Sequence, residues 1–226
     1  MENIFYTFST IDDGNIAYHV NDNPVHVEIN RKNLCIKHQL DFTNLKSMDQ
    51  IHSNIVKVIN TSNTYEKCDA LITNKINTPL MVMVADCIPI VFFEETQNVI
   101  GVAHAGRNGT YQNIASLTIK KMITEFQVEP KNIHVVLGPS IQKCCYEVSP
   151  ELAMIANKNF GEDVVDGRYV DLQAINKKQL LEIGVLEKNI TTENICTKCG
   201  TKNYFSYRED KDCGRFCGII SIRQQQ

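Results

Sequence analysis

Short runs rich in Val, Ile and Phe, bounded by Asn, Asp, Gly or Pro, recur along the chain at residues 5–8, 16–20, 55–59, 80–84, 88–93, 99–103, 133–137, 190–196 and 215–222. That composition and punctuation predict β-strands. Three segments carry helical spacing instead. They are residues 27–40, residues 110–127 with Ile114, Leu117, Met122, Ile123 and Phe126, and a run capped by Asp171 with Leu172, Ile175, Leu180 and Ile183 before Gly184. The pattern therefore predicts a mixed α/β chain dominated by strands. Its most apolar part is the centre, where residues 80–93 and 99–103 flank the turn-like Glu94-Glu95-Thr96-Gln97-Asn98. Near-continuous apolar runs of this kind predict buried strands joined by an exposed loop. No internal repeat is evident, and residues 224–226, a run of Gln, are expected to fray.

Composition adds scale. With 226 residues and 43% hydrophobic positions, folding can bury roughly 70% of the surface of the extended chain, enough for a core without staples. No shift in composition marks a linker, so residues 1–226 are expected to form a single domain. Lys and Arg number 23 against 26 Asp and Glu, and the basic residues are scattered, which argues against a nucleic-acid partner. The start, Met1-Glu2-Asn3-Ile4-Phe5, lacks a basic leader region. The longest apolar run falls short of the roughly 20 residues a membrane span needs, and it contains Asp86. A cytoplasmic protein with no membrane partner is expected. Nine Cys, an odd number, read as core residues, ligands or nucleophiles rather than as a disulfide framework.

Chemistry gathers in the apolar centre. Asp86-Cys87 and His104 interrupt or end hydrophobic runs, where polar side chains cost free energy unless satisfied or used. A lone Cys or a lone His would be an ordinary core residue. Here Gly101, Gly106 and Gly109 let the backbone turn tightly around His104, and a helix expected from about Thr110 would present its N-terminus to an anion. His52, just ahead of another strand, completes a His/Cys/His set, the ligand count of a catalytic zinc with one position open. Residue type and wide spacing alone leave hydrogen-bonded core residues as the alternative. A second pattern, Cys196-x2-Cys199 followed by Cys213-x3-Cys217, approaches zinc-ribbon spacing. Because Tyr204 to Arg208 and the run after Cys217 read as sheet core, packing cysteines are favoured there over a closed structural zinc.

Several stretches occur in the order of a known family: Cys68-Asp69-Ala70-Leu71-Ile72-Thr73, Val84-Ala85-Asp86-Cys87-Ile88-Pro89-Ile90, Val102-Ala103-His104-Ala105-Gly106, Leu137-Gly138-Pro139-Ser140-Ile141, Cys145-Tyr146-Glu147-Val148, and Tyr204-Phe205-Ser206-Tyr207-Arg208 with Gly214-Arg215. Asn30-Arg31 and Ile51-His52 sit where that family has its "NR" and "QVH" elements. The chain resembles the YfiH or laccase-domain family, variously labelled multicopper polyphenol oxidoreductase and purine nucleoside phosphorylase. The resemblance implies a single-domain α/β/β/α sandwich of mixed sheets, similar in fold to a chemotaxis deamidase and to cytotoxic necrotizing factor toxins. It also implies zinc on His52, Cys87 and His104. The implied reactions are phosphorolysis of adenosine, inosine and S-methyl-5′-thioadenosine to free base and sugar 1-phosphate, and deamination of adenosine, with purine nucleosides and phosphate as partners. One departure stands out: the family continues its HAG motif with Trp-Arg-Gly, whereas this chain has Arg107-Asn108-Gly109 and no Trp.

Within that frame Asp86 is a candidate proton shuttle, or else an acceptor for backbone N–H groups. Asn30, Arg31, Arg208 and Arg215 are candidate ligands for phosphate or ribose, with buried salt bridges as the alternative for the arginines. Three rivals use the same residues. Cys87 and His104 could form a metal-free hydrolase or deamidase, whose dyad has no need of His52. Copper-dependent polyphenol oxidation ranks below zinc chemistry, because a multicopper cluster adds imidazoles to a His/His/Cys centre and His19, His26, His38 and His134 show no clustering in sequence; copper in the His/Cys/His site could still give weak activity. A zinc that only holds the fold is the third. Sequence does not decide between monomer and homodimer.

Overall fold

The central strands are apolar at consecutive positions because both of their faces are covered. A computed structural model describes residues 3–59, 64–65, 67–200 and 203–224. The strands in chain order are β1 (Ile4–Phe8), β2 (Ser47–Met48), β3 (Val56–Val58), β4 (Thr64–Tyr65), β5 (Ala70–Thr73), β6 (Leu80–Val84), β7 (Ile88–Glu94), β8 (Val99–Ala105), β9 (His134–Leu137), β10 (Val165–Asp166), β11 (Tyr169–Val170), β12 (Ile190–Thr192) and β13 (Phe216–Ile222). The α-helices are α1 (Pro24–Lys37), α2 (Arg107–Tyr111), α3 (Ile114–Phe126), α4 (Pro150–Phe160) and α5 (Leu172–Glu182).

A six-stranded sheet in the order β12-β9-β7-β8-β5-β3 faces a three-stranded sheet β1-β13-β6. The larger sheet is mixed: its outer pairs, β12 with β9 and β3 with β5, run parallel, and the inner pairs antiparallel. Side chains alternate between the layers with the strand period of two. Ile88, Ile90 and Phe92 of β7 pack with Ala115, Ile119 and Met122 of α3 and Ile175 and Leu180 of α5. Between the sheets, Val91, Ile100 and Val102 meet Leu80, Val82, Val84, Phe216 and Ile220. On the far side Met81, Met83, Cys217 and Ile219 pack against Leu34 and Cys35 of α1. The result is the expected α/β/β/α sandwich of mixed sheets.

Expected elements that depart from the structure do so for local reasons. Residues 16–20 form no strand. There the Asn15 side chain bonds the backbone N and O of Ala17, at 3.0 Å each, and turns the chain. The expected helix 110–127 is two helices, broken at Asn113, whose φ is 61°. The earlier of the two, α2, starts at Arg107 rather than Thr110 and spans only five residues. The unanticipated α4 is capped by Ser149 but buries only Ala153 and Ala156, leaving Met154 and Ile155 exposed. The run at 190–196 leaves the sheet after Thr192. Of the tail expected to fray, Gln225 and Gln226 lie outside the described residues. Among the described residues no helix is long and apolar enough to cross a membrane.

One consequence of this layering positions the chemistry. Ala85-Asp86-Cys87 is the crossing at which the chain leaves the smaller sheet (β6) and enters the larger one (β7).

Candidate active site

His104 is the penultimate residue of β8 and is 4% exposed. Its Nδ1 lies 2.8 Å from Oδ1 of Asp69, a fully buried carboxylate just ahead of β5. The same carboxylate accepts from Ser53 N and Ser53 Oγ, each at 2.6 Å, from His52 N at 3.0 Å and from Ile51 N at 3.3 Å. Asp69 therefore ties the strand that carries His104 to the loop that carries His52. Those bonds hold His52 at a φ of 60°, a left-handed conformation that a non-glycine residue keeps only when its surroundings enforce it. With Nδ1–H donated to Asp69, His104 presents Nε2 to the cleft. Donor atoms of His52, Cys87 and His104 lie within 4.8 Å of one another. The two imidazole rings meet edge to face, with centroids 4.7 Å apart. Gly106 closes the cradle: a Cβ there would stand 2.8 Å from Cys87 Sγ and 3.2 Å from His52 Cδ2.

The electrostatics follow from this packing. Burial alone would raise the Cys87 thiol, but the charge and hydrogen bond of His104, with His52, outweigh it and hold the thiol well below its ordinary value. Burial likewise opposes the charged form of His104, and Cys87 and Asp69 overcome it and raise the imidazole. For Asp69, desolvation pushes upward and the bonds from His104 and Ser53 pull it below the usual carboxylate range. Two imidazole nitrogens and one thiolate, oriented by a buried carboxylate and open on one side, fit a zinc ion in number and kind of donor.

That open side is a cleft of about 570 Å³, whose lining includes His19, Gln50, His52, Cys87, His104, Tyr207 and Arg215. Its size lies within the roughly 300–1,000 Å³ of small-molecule sites. Sequence alone leaves His19 unclustered; folding brings it to the same wall. Burial, then the charge of Arg215, keep its imidazole below the ordinary value. His134 stacks on Phe93 and His38 packs on Phe5, both outside the cleft.

The other candidates separate by position. Arg215 lines the cleft, held by the carbonyls of Cys213 at 2.7 Å and Gly214 at 3.0 Å, with its guanidinium 5.7 Å from the Tyr207 ring. Arg208 lies over Tyr146 and donates to the Glu147 carbonyl at 3.0 Å. Both oxygens of Asp86 are engaged, accepting from Thr197 Oγ1 and from Arg208 N at 2.6 Å each. Its φ of 79° sets the crossing that presents Cys87. Arg31 is buried beneath α1, donating to the Ile16 carbonyl at 2.7 Å and lying 4.3 Å from the Tyr18 ring. Asn30 donates to the Asn15 carbonyl at 2.9 Å. Arg107, at the departure from the family motif, sits at the start of α2 and reaches Asn108 Oδ1 at 3.3 Å. The expected anion site at the start of a long helix is not formed, because α2 is a single short turn of helix.

The four-cysteine grouping is corrected in its membership. Cys196 and Cys199 meet Cys144 and Cys145, not Cys213 and Cys217. Cys217 is buried on β13, where burial raises its thiol to about 12, and Cys213 lies by the Arg215 guanidinium. Asp69, Ser53 and His19 are the functional candidates that sequence reasoning missed. Asp69 did carry a signal: a carboxylate set against the apolar run 70–72 must be paired once buried.

The family described as multi-copper polyphenol oxidoreductase laccase matches residues 7–223. The chain is 36% identical to a purine nucleoside phosphorylase of Clostridium acetobutylicum, over 82% of this chain and 81% of the relative. It is 33% identical to a purine nucleoside phosphorylase of Campylobacter jejuni, over 78% of this chain and 76% of that one. The crystal structure of YlmD from Geobacillus stearothermophilus is similar with a TM-score of 0.91 at 26% identity, covering 99% of this chain and 93% of that one. That of the Bacillus licheniformis hypothetical protein YfiH gives 0.90 at 25%, covering 97% and 93%.

Proposed function

Because the chain belongs to the multi-copper polyphenol oxidoreductase laccase family, with relatives named purine nucleoside phosphorylases, we propose that it is a zinc-dependent purine nucleoside phosphorylase that also deaminates adenosine. Its substrates are adenosine, inosine and S-methyl-5′-thioadenosine, and it acts in the cytoplasm. The observation that carries this reading is the one-sided His52/Cys87/His104 set, oriented by Asp69, at the wall of a ligand-sized cleft.

A zinc ion on these three residues would supply a Lewis acid with one position open to a ligand. Asp69 holds His104 in the tautomer that presents Nε2 and keeps its ring fixed. In phosphorolysis the C1′–N9 bond breaks with its electrons leaving on the base, while a phosphate oxygen bonds C1′. Positive charge grows on the ribose as in glycoside cleavage. Arg215, a cation on the cleft wall, holds the phosphate beside C1′. His19, on the cleft wall, is placed to hydrogen-bond the purine or the ribose and so orient it. In deamination, water adds at C6 of adenine and ammonia leaves. Asp86 is an anchor in this scheme, since Thr197 and Arg208 take both its oxygens. A multicopper centre would need more imidazoles beside the set than His19.

Chromatography of the three nucleosides incubated with the protein, with and without phosphate and before and after chelation, tests the reading. Phosphate-dependent free base that disappears with the metal supports it; intact nucleosides under all conditions refute it. A second reading has its own observation: Cys87, His104 and Asp69 stand as nucleophile, base and orienting acid. A hydrolase of that kind keeps its activity after chelation.

A further inference from the structure

Away from the cleft, four thiols converge from two segments that leave the same edge of the six-stranded sheet. Cys144 and Cys145 lie in the turn after β9, and Cys196 and Cys199 in a C-x2-C turn after β12. Because β9 and β12 are parallel neighbours, both segments emerge side by side, and a further bridge pairs Ser140 with Cys196. Ser140 N donates to the Ile195 carbonyl at 3.3 Å, and Thr197 N to the Ser140 carbonyl at 3.1 Å. We propose that Cys144, Cys145, Cys196 and Cys199 hold a structural zinc ion, tetrahedral and closed to other ligands, which braces the wall behind the active-site cleft.

The geometry fits one ion and no cluster. Four thiolates about 2.3 Å from a single tetrahedral zinc stand about 3.8 Å apart. Cys144 Sγ lies 3.8 Å from Cys145 Sγ and 3.5 Å from Cys199 Sγ, and all four sulfurs fall within 4.8 Å of one another. An iron–sulfur cluster would hold its cysteines farther apart, with several metals between them. Cys144 and Cys199 are exposed, which gives an ion its entry. Four thiolates leave no open position, the mark of a structural rather than a catalytic zinc.

The site reaches the cleft through bonds already described. Thr197, next to Cys196, donates to Asp86, and Arg208 reaches the Cys145 carbonyl at 3.5 Å. Asp86 in turn precedes Cys87. This inference is independent of the proposed reaction.

Metal analysis of the purified full chain, with Cys144→Ser and Cys199→Ser variants beside the parent, tests it. Each variant is expected to lose one zinc equivalent relative to the parent and to keep the equivalent held by His52, Cys87 and His104, if one is there. Cobalt(II) titration of the unaltered chain guards against a variant that fails to fold. Intense thiolate-to-cobalt charge transfer and red-shifted visible bands of a four-sulfur site are expected. Variants that fold and retain the parent's zinc content overturn the proposal, as does a cobalt spectrum with no four-sulfur signature. A freshly purified chain that lacks two titratable thiols when denatured without reductant would also overturn it, because a Cys144–Cys199 disulfide would then occupy the place of the metal.

Discussion

Asp69 is the residue on which the geometry of the cleft turns, since it fixes His104 directly and His52 through the backbone. Asp69→Asn leaves the volume unchanged but removes the charge that orients the ring. Zinc affinity is expected to fall about 10–100-fold, with nucleoside cleavage falling alongside; competition with a chromophoric chelator reads the first, base release the second. Unchanged affinity would assign Asp69 a purely structural part. Gly106 gives a complementary test, because its φ of −73° suits alanine and only the Cβ intrudes on Cys87 and His52. Gly106→Ala should therefore cost metal and activity while the melting temperature stays near that of the parent. His52→Ala separates the chemical readings: a metal-dependent phosphorylase loses turnover, and a Cys87–His104 hydrolase largely keeps it. The three donor residues were legible in sequence because each interrupts an apolar run or precedes one. Asp69 carried only the sign of a carboxylate that must be paired once buried, and His19 none, because their roles come from the partners that folding brings beside them.

At the scale of elements, α1 shows how a motif residue can serve the fold. Arg31 reaches from the helix to the Ile16 carbonyl and the Tyr18 ring, so it docks α1 onto the turn at 15–20. Arg31→Ala should lower stability by about 1.5–3 kcal/mol, the loss of a buried hydrogen bond to a charged group, and leave the apparent affinity for phosphate unchanged. Arg215→Ala should do the reverse, raising the KM for phosphate with little change in denaturant midpoint. Equal effects of both variants on KM would return Arg31 to the site. The same scale explains which elements were legible. β6, β7 and β8 are buried on both faces, so their composition alone announces them. The run at 16–20 has strand composition, but the Asn15 side chain takes the backbone bonds of Ala17 that a ladder would need. α4 escaped because its stripe of Leu152, Ala153, Ala156 and Phe160 is short and half alanine, and exposed Met154 and Ile155 blur it.

For the whole molecule, the four layers hold the fold together without an ion in the cleft. Both sheets and the helices on either side share cores built mostly from other side chains; of the three donors only Cys87, half-buried, packs against one of them. Removing that ion should not unfold the chain, unlike a zinc finger, whose folding energy is its metal binding. It should withdraw only the linkage term. Free zinc at about 100 times Kd stabilises the folded state by about 2.7 kcal/mol. At about 2–4 °C per kcal/mol for a chain of this size, that is about 5–11 °C in melting temperature. In Cys199→Ser, where only the cleft site is left to fill, the expected outcome of chelation is thus an unchanged far-UV circular dichroism spectrum at 25 °C and a melting temperature lower by about that amount. The cysteine site enters the same experiment, because zinc added to His52→Ala finds only two donors in the cleft but all four thiolates at the sheet edge. A residual rise in that variant, absent when Cys199→Ser is combined with it, assigns the remainder to the sheet edge. Collapse of the spectrum on chelation would instead make the metal part of the core, contrary to the packing of the four layers.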